Sequence, residues 1–398
     1  MIAKILILGL IARLLFSLLP SFAVDFGTWI AWGERLVIGG PANFYSSQVW
    51  TNYMPAYLYV LWFLAAIRNF FEIPLNSETY EVILKLPANL ADLGIAVLVF
   101  AILQKKVSQK IALAATSLYL FNPALIFNSA VWGQVDSVFT FFLVLTAYLL
   151  IEAKKPVFAS LAVAFALLIK PQAVAILPIF VFYQWQQFGI KSLIKSAIAS
   201  VVLVFLLSLP FFLKNPILGL PSMFLQMLAD YPYTSLFAFN FWWIVGGWKP
   251  DVTVNFLIPD QAWGIVLWLT SQVMILFWLA NSAKHNGGAR FYLAAALTLL
   301  AFFVLPTRVH ERYLFPFFAY GAIAAGIFGR FFWVVWGILT LLHFLNLYLV
   351  YTYYNPNFLK IGAISQFIDT FSVGFAALTV FIFSLILGLL VNKRWLKI

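Results

Sequence analysis

Apolar runs of roughly 17 to 25 residues recur along the whole chain, separated by short polar punctuation. A run of that length crosses ~30 Å of hydrocarbon as a helix. The pattern predicts spans near 2–20, 81–103, 111–129, 135–152, 157–170, 172–187, 192–213, 261–281, 291–305, 313–329, 331–350 and 371–391. The fifth and sixth are short and meet at "KPQ". Two further helices read differently. Over 26–38, Phe26, Trp29, Ile30, Gly33, Leu36 and Val37 recur at helical spacing, with Thr28, Glu34 and Arg35 off that stripe. This predicts an amphipathic helix lying in the membrane interface. Residues 54–70, "MPAYLYVLWFLAAIRNF", are long enough to span by length alone.

The basic residues decide the second case. If 54–70 does not span, and the N-terminus is cytoplasmic, Lys4, "KKVSQK" (105–110), "AKK" (153–155), Lys191, Lys195, Lys284, Arg290, Arg330 and the tail "NKRWLK" all fall inside. These hold 14 of the 24 Lys and Arg. If 54–70 spans, every later loop inverts, against the positive-inside rule. The acidic side chains then gather at the opposite face: Asp25, Glu34, Glu72, Glu78, Glu81, Asp136, Asp230, Asp251, Asp260, Glu311 and Asp369. Glu152 alone is inside, and Asp92 is mid-span.

Composition narrows the class. The 398 residues are 64% hydrophobic and 9% charged, where a soluble domain is about 25% charged. The reading is an all-α polytopic membrane protein of about 11–13 transmembrane helices, with one domain over 1–398. The +11 formal charge sits in short loops rather than on one soluble face, so no nucleic-acid partner is expected. Without cysteine there is no disulfide and no thiolate chemistry. Lys4, an apolar run and "SFA" at 21–23 can be read as a cleaved leader or a signal anchor; Arg13 inside the run favours an anchor facing the bundle. Both put residue 25 outside.

The outward tips carry unusual content: "VDFGTW" (24–29), "TNYMPAY" (51–57), "NSAVWGQVDS" (128–137), "IKPQ" (169–172), "LADYPYTSLFAFNFWW" (228–243) and "PTRVHERY" (306–313). Each has an ordinary explanation. Asp25 could cap the interfacial helix, and Asp136 suits a helix N-terminus. Lys170 could snorkel. His310 and Glu311 could pair with arginines only to fix a loop. His343 reads as a satisfied buried histidine, and Trp242, Trp243 and Trp248 as interfacial belt residues. Together, six such tips on one face predict a shared pocket. Its inventory is carboxylates (Asp25, Asp136), amides (Asn52, Gln134, Gln172), cations (Lys170, Arg308, His310, Arg312), Tyr53, and Glu311 to hold an arginine. Carboxylates can take a proton from a hydroxyl, and Arg and Lys can hold phosphate. That pairing, open to membrane and exterior, suits a lipid phosphate.

The ordered motifs "DFGTW", "NYMPAYLY", "KLPANLADLG", "FNPALIFNSAVWGQVDS", "LLIKPQA" and "TRVHERYLFPFF" resemble the GT-C superfamily of membrane glycosyltransferases. They are most similar to bacterial transferases related to the GPI-anchor mannosyltransferases. The resemblance covers about 20–320; residues 330–398 add helices without motifs. It implies a GT-C-like bundle whose first outer loop carries two juxtamembrane helices. It also implies a polyprenyl-phosphate-linked sugar donor, inverting transfer to a hydroxyl of a glycan, lipid or protein acceptor, and an outward-facing site in a bacterial cytoplasmic membrane. A hexose, mannose first, is the expected sugar. The position matching the family's catalytic aspartate is Asp25. Where many relatives carry an aspartate beside the first-loop Tyr-Pro, this chain has Asn52. Lys170, Arg308, His310 and Arg312 are expected around the donor phosphate, with Arg308 and Arg312 on one helical face at four-residue spacing.

No obligatory cofactor and no metal site is predicted, with an outer divalent cation left open. The competing reading is a transporter or flippase of lipid-linked glycans, for which mid-span Asp92 is the best argument.

Overall fold

The computed structural model describes residues 1–46, 50–282 and 287–391; the predicted inside positions Lys284 and 392–397 lie outside them. The helices are α1 (Ile2–Ser17), α2 (Ala23–Gly39), α3 (Pro55–Phe70), α4 (Glu78–Leu103), α5 (Gln109–Leu120), α6 (Pro123–Ile126), α7 (Asp136–Ala147), α8 (Pro156–Ile169) and α9 (Leu177–Ser208). Then follow α10 (Gly219–Met227), α11 (Phe241–Gly246), α12 (Asp260–Ser282), α13 (Gly287–Val304), α14 (Phe315–Phe328), α15 (Arg330–Tyr354) and α16 (Gly362–Val391). Among the described residues, five are long and apolar enough to cross a membrane: Glu78–Leu103, Pro171–Phe211, Asp260–Asn281, Arg330–Tyr354 and Gly362–Leu390. The pair Gln109–Leu120 and Pro123–Trp132, bent by 41°, is a sixth if counted as one span. Shorter apolar helices α1, α5, α7, α8, α13 and α14 pack with them. The protein is an integral membrane bundle.

The two helices expected beside the membrane, α2 and α3, pack on each other. The predicted stripe of α2 is the buried one: Phe26, Trp29, Gly33 and Leu36 face inward, joined by Trp32. Ile38 is exposed. The expected span 111–129 is broken, because Asn122 caps a new helix and Pro123 cannot continue the old one. A π-helical turn over Phe127–Trp132 follows.

Helix α9 is two helices. Gly189 sits at φ 75°, ψ 171° inside it, a region open essentially to glycine alone. Gln184 Nε2 donates to Ser196 Oγ over 2.7 Å. Residues twelve apart in a straight helix are roughly 18 Å apart, so the chain folds back at Gly189. The two predicted spans 172–187 and 192–213 are its antiparallel arms. Ser160 of α8 donates to Gln184, and Ser200 donates to the Ser160 carbonyl, tying three segments together.

The motif at 85–94 is a fastening row on α4. Lys85 Nζ donates to the carbonyls of Ser17 (3.0 Å) and Leu19 (2.6 Å), satisfying the open end of α1. Asn89 donates to Ser17 Oγ. Asp92 pairs with Arg13 at 3.0 Å and accepts from Ser129 Oγ and Tyr119 Oη, all buried. Glu81 accepts from the backbone and hydroxyl of Ser21. This row fixes where α2 begins. The mid-span carboxylate is therefore a partnered helix clasp, and Arg13 faces the bundle.

One expectation fails nearby. His343 is buried, but neither ring nitrogen meets a partner among the described residues; the ring stacks on Phe318 at 5.2 Å.

Candidate active site

Five of the six polar tips meet in one cavity of about 190 Å³, lined among others by Asp25, Asn52, Tyr53, Gln134, His310, Glu311 and Arg312. The start of α2 is held against the turn at 132–136. Phe22 N–H donates to the Trp132 carbonyl over 3.2 Å, and the two rings stack at 4.3 Å. Gly133 has φ 88°, and a Cβ there would fall 2.3 Å from the Phe26 ring. Only glycine lets the turn dock this closely.

Asp25 is not the cap of α2. The helix starts at Ala23 after Phe22, so Asp25 stands in its first turn and makes no capping bond. Its half-buried carboxylate instead accepts from Trp132 Nε1 (2.9 Å) and Gln134 Nε2 (2.5 Å). The same Gln134 presents its carbonyl oxygen to Lys170 Nζ at 3.1 Å. Lys170 Nζ reaches Asp136 Oδ1 at 2.6 Å, and both side chains are buried. Asp136 also lies in the first turn of α7, so the helix-terminus and ion-pair readings hold together. Burial pulls the Lys170 ammonium below its ordinary value, and Arg312 adds to that, while Asp136 opposes both. Lys170 and Asp136 therefore stand behind Gln134 rather than on the cavity wall.

The segment 309–314 is extended, then tightly coiled. β1 (Ser235–Leu236) pairs in parallel with β2 (Val309–His310), Leu236 opposite His310, and a 3₁₀ turn covers Glu311–Leu314. Glu311 Oε1 holds Arg312 Nη1 at 2.8 Å, and His310 Nδ1 is 3.4 Å from the same guanidinium. Arg312 Nε is buried without a partner among the described residues. Burial alone would push the Glu311 carboxyl up, but Arg312 and His310 outweigh it and hold it down at about 2. Burial, then the Arg312 charge, lowers His310 against the pull of Glu311.

Arg308 departs from expectation. No helix runs from 308 to 312, so four-residue spacing does not place the two arginines on one face. Arg308, at φ 63°, binds Asp251 with Nε at 2.6 Å and Nη2 at 3.0 Å, and reaches Gln261 and the Leu228 carbonyl. Its N–H donates to the Tyr233 carbonyl. It pins the segment 228–251 over the site. Gln172 also lies off the main cavity. Both residues line an adjoining groove of about 310 Å³, whose walls include Val174, Phe224, Leu236 and Phe302.

Sequence reasoning missed Trp132, Asp251 and the contribution of α15. Val350 and Tyr354 of α15 line the cavity, and Asn346 donates to the Phe237 carbonyl while accepting from Phe239 N–H. Residues 330–398 thus help build the site despite lacking a motif. Asp251 is fully buried, and its pairing with Arg308 carries no local sequence signal. Among the described residues no three His, Asp or Glu side chains gather as a metal site.

This combination is a helical membrane bundle with a polar cavity where its loops meet. The solved structure of ArnT from Cupriavidus metallidurans bound to undecaprenyl phosphate is similar, with a TM-score of 0.57 and 14% identity, over 95% of this chain and 69% of that one. Residues 36–244, more than half the chain, match the family model for the GPI transamidase subunit PIG-U, and the chain belongs to that family. The family bears the name of a transamidase subunit, so mannosyl specificity draws no support from the match. The matched stretch includes Asn52, Gln134, Asp136 and Lys170 but neither Asp25 nor 308–312. No curated protein matches the chain in sequence.

Proposed function

We propose that the protein transfers a hexose from a polyprenyl-phosphate carrier to a hydroxyl acceptor at the extracytoplasmic face, with inversion, the whole chain acting as one unit. One observation carries this reading: the Asp25 carboxylate and the Arg312 guanidinium line the same cavity, which adjoins an apolar-walled groove. The groove suits a polyprenyl chain, with its phosphate at His310 and Arg312. Asp25 takes the proton of the acceptor hydroxyl as its oxygen bonds to the anomeric carbon. The bond from that carbon to the phosphate oxygen breaks, and the electron pair leaves with the polyprenyl phosphate. The fixed Arg312 guanidinium stabilises this growing charge. A single displacement of this kind inverts the anomeric centre. Mannose is the first sugar to test, and the outer face of a bacterial cytoplasmic membrane the first location.

The PIG-U match favours a second reading, in which the cavity holds a lipid-linked glycan without transferring it. Incubating the protein with synthetic polyprenyl-phosphate hexoses and a membrane extract, with products read by mass spectrometry, separates the two. Transfer that Asp25→Asn abolishes supports the enzyme. Binding without conversion, equal in Asp25→Asn, supports the holding subunit and overturns the enzyme.

A further inference from the structure

A third cavity, of about 690 Å³, opens between the first outer loop and α10. Its volume falls in the range of small-ligand sites, about 300–1,000 Å³. Two kinds of surface meet there. One is aromatic: Trp50, and Tyr45 stacked on Phe212 at 5.0 Å and 9°. The other is polar: Thr51, Ser222, Gln226 and Asp230. The Asp230 carboxylate accepts no hydrogen bond from any described residue, and burial raises its pKa above the ordinary value.

A pyranose ring has this same double character. One face is a sheet of C–H groups that lies well on an aromatic ring. Its rim is hydroxyls, which donate to carboxylates and bond hydroxyls and amides. An isoprenoid would leave Thr51, Ser222 and Gln226 unused, and a phosphate would meet a carboxylate with no described cation among the lining residues.

Position sharpens the assignment. Trp50 lines both this cavity and that of Asp25. Asp230 lines both this cavity and the apolar groove. Tyr231 stands between, in edge-to-face contact with Trp50 at 6.2 Å and with His310 at 5.3 Å. A sugar held here shares the Trp50 wall with the Asp25 cavity and the Asp230 wall with the groove.

We propose that this cavity is a carbohydrate site, and that it holds the glycan of the acceptor; the second clause rests on the transferase reading above. The test is saturation-transfer NMR on the full chain in nanodiscs. The probes are methyl α-mannopyranoside, methyl α-glucopyranoside and methyl β-galactopyranoside. At least one gives a signal, which Ser222→Leu lowers by about tenfold by filling the cavity. Ser222 is exposed on α10, so the variant folds, and its affinity for undecaprenyl phosphate is unchanged. Asp230→Asn weakens the same signal. Absence of signal from all three sugars, or equal signal in Ser222→Leu and wild type, overturns the site. If sugar binds here while the wild type converts no polyprenyl-phosphate hexose, the site stands and the transferase reading falls.

Discussion

Trp132 donates its indole N–H to the Asp25 carboxylate over 2.9 Å, across 107 residues of chain. With the Gln134 amide on the same oxygen, it aims the carboxylate while leaving Oδ1 without a hydrogen bond from the described residues. Removing the charge alone is therefore the sharpest test of the base. Asp25→Asn is expected to lower turnover by ~10²–10⁴ with donor affinity retained. Trp132→Phe keeps the stacking on Phe22 but loses the hydrogen bond, and should give a smaller fall in kcat. Steady-state kinetics of both variants checks this, and wild-type turnover in Asp25→Asn would remove it from the mechanism.

Asp136 now has a different expected role. It neutralises buried Lys170, and breaking a buried pair on one side costs about 3–5 kcal/mol. Asp136→Asn should lose thermal stability first and activity as a consequence. A variant with unchanged melting temperature and no transfer would instead make Asp136 part of the chemistry.

The two arginines should separate cleanly. Arg312→Ala should weaken undecaprenyl phosphate binding by at least about tenfold, because its guanidinium lines the cavity. Arg308→Ala should leave that affinity near wild type while hydrogen exchange over 228–237 rises, since it pins that segment through Asp251 and backbone carbonyls. Titration calorimetry and exchange mass spectrometry decide; equal losses of affinity would restore Arg308 to the phosphate.

Acid should unfold the site. His310 lies below its ordinary 6.5, and Glu311 is held at about 2 from 4.5. In both cases the unfolded chain binds more protons over the affected window, so stability rises with pH there. Melting temperature should fall as pH drops below 6.5, and further between 4.5 and 2. Glu311→Gln should melt lower at pH 7 but with a shallower slope below 4.5. An unchanged slope would show that another carboxylate dominates.

The Arg13–Asp92 clasp supplies a test against transport. Replacing a buried ion pair by apolar side chains is often neutral, whereas losing one partner is strongly destabilising. Arg13→Leu with Asp92→Leu should fold and keep transfer, while Asp92→Leu alone should not fold stably. Loss of function in a well-folded double variant would return Asp92 to the candidate list of functional carboxylates.

The legible parts were those with a local signal. The stripe of α2 marked the face that is buried, and the short polar tips gave most of the cavity. Asp25 reads as a possible cap in the sequence because the helix start depends on Phe22 docking on Trp132, a tertiary event. The four-residue spacing of Arg308 and Arg312 misleads because 309–310 pairs with 235–236 instead of coiling. Asn346 and Asp251 could not be found by motif, since each acts on backbone far away in sequence. The surrounding helix of Asn346 looks like any other apolar run.

The turn at Gly189 bears on how the protein is made. Its arms carry their own polar clasp, Gln184 to Ser196, and meet at one residue with Lys191 and Lys195 just beyond it. A nascent chain can close that hairpin before later helices emerge from the ribosome. Gly189→Ala, strained by about 1–3 kcal/mol of backbone energy though a Cβ there meets nothing within 4 Å, would then act on insertion yield before it touched the finished protein.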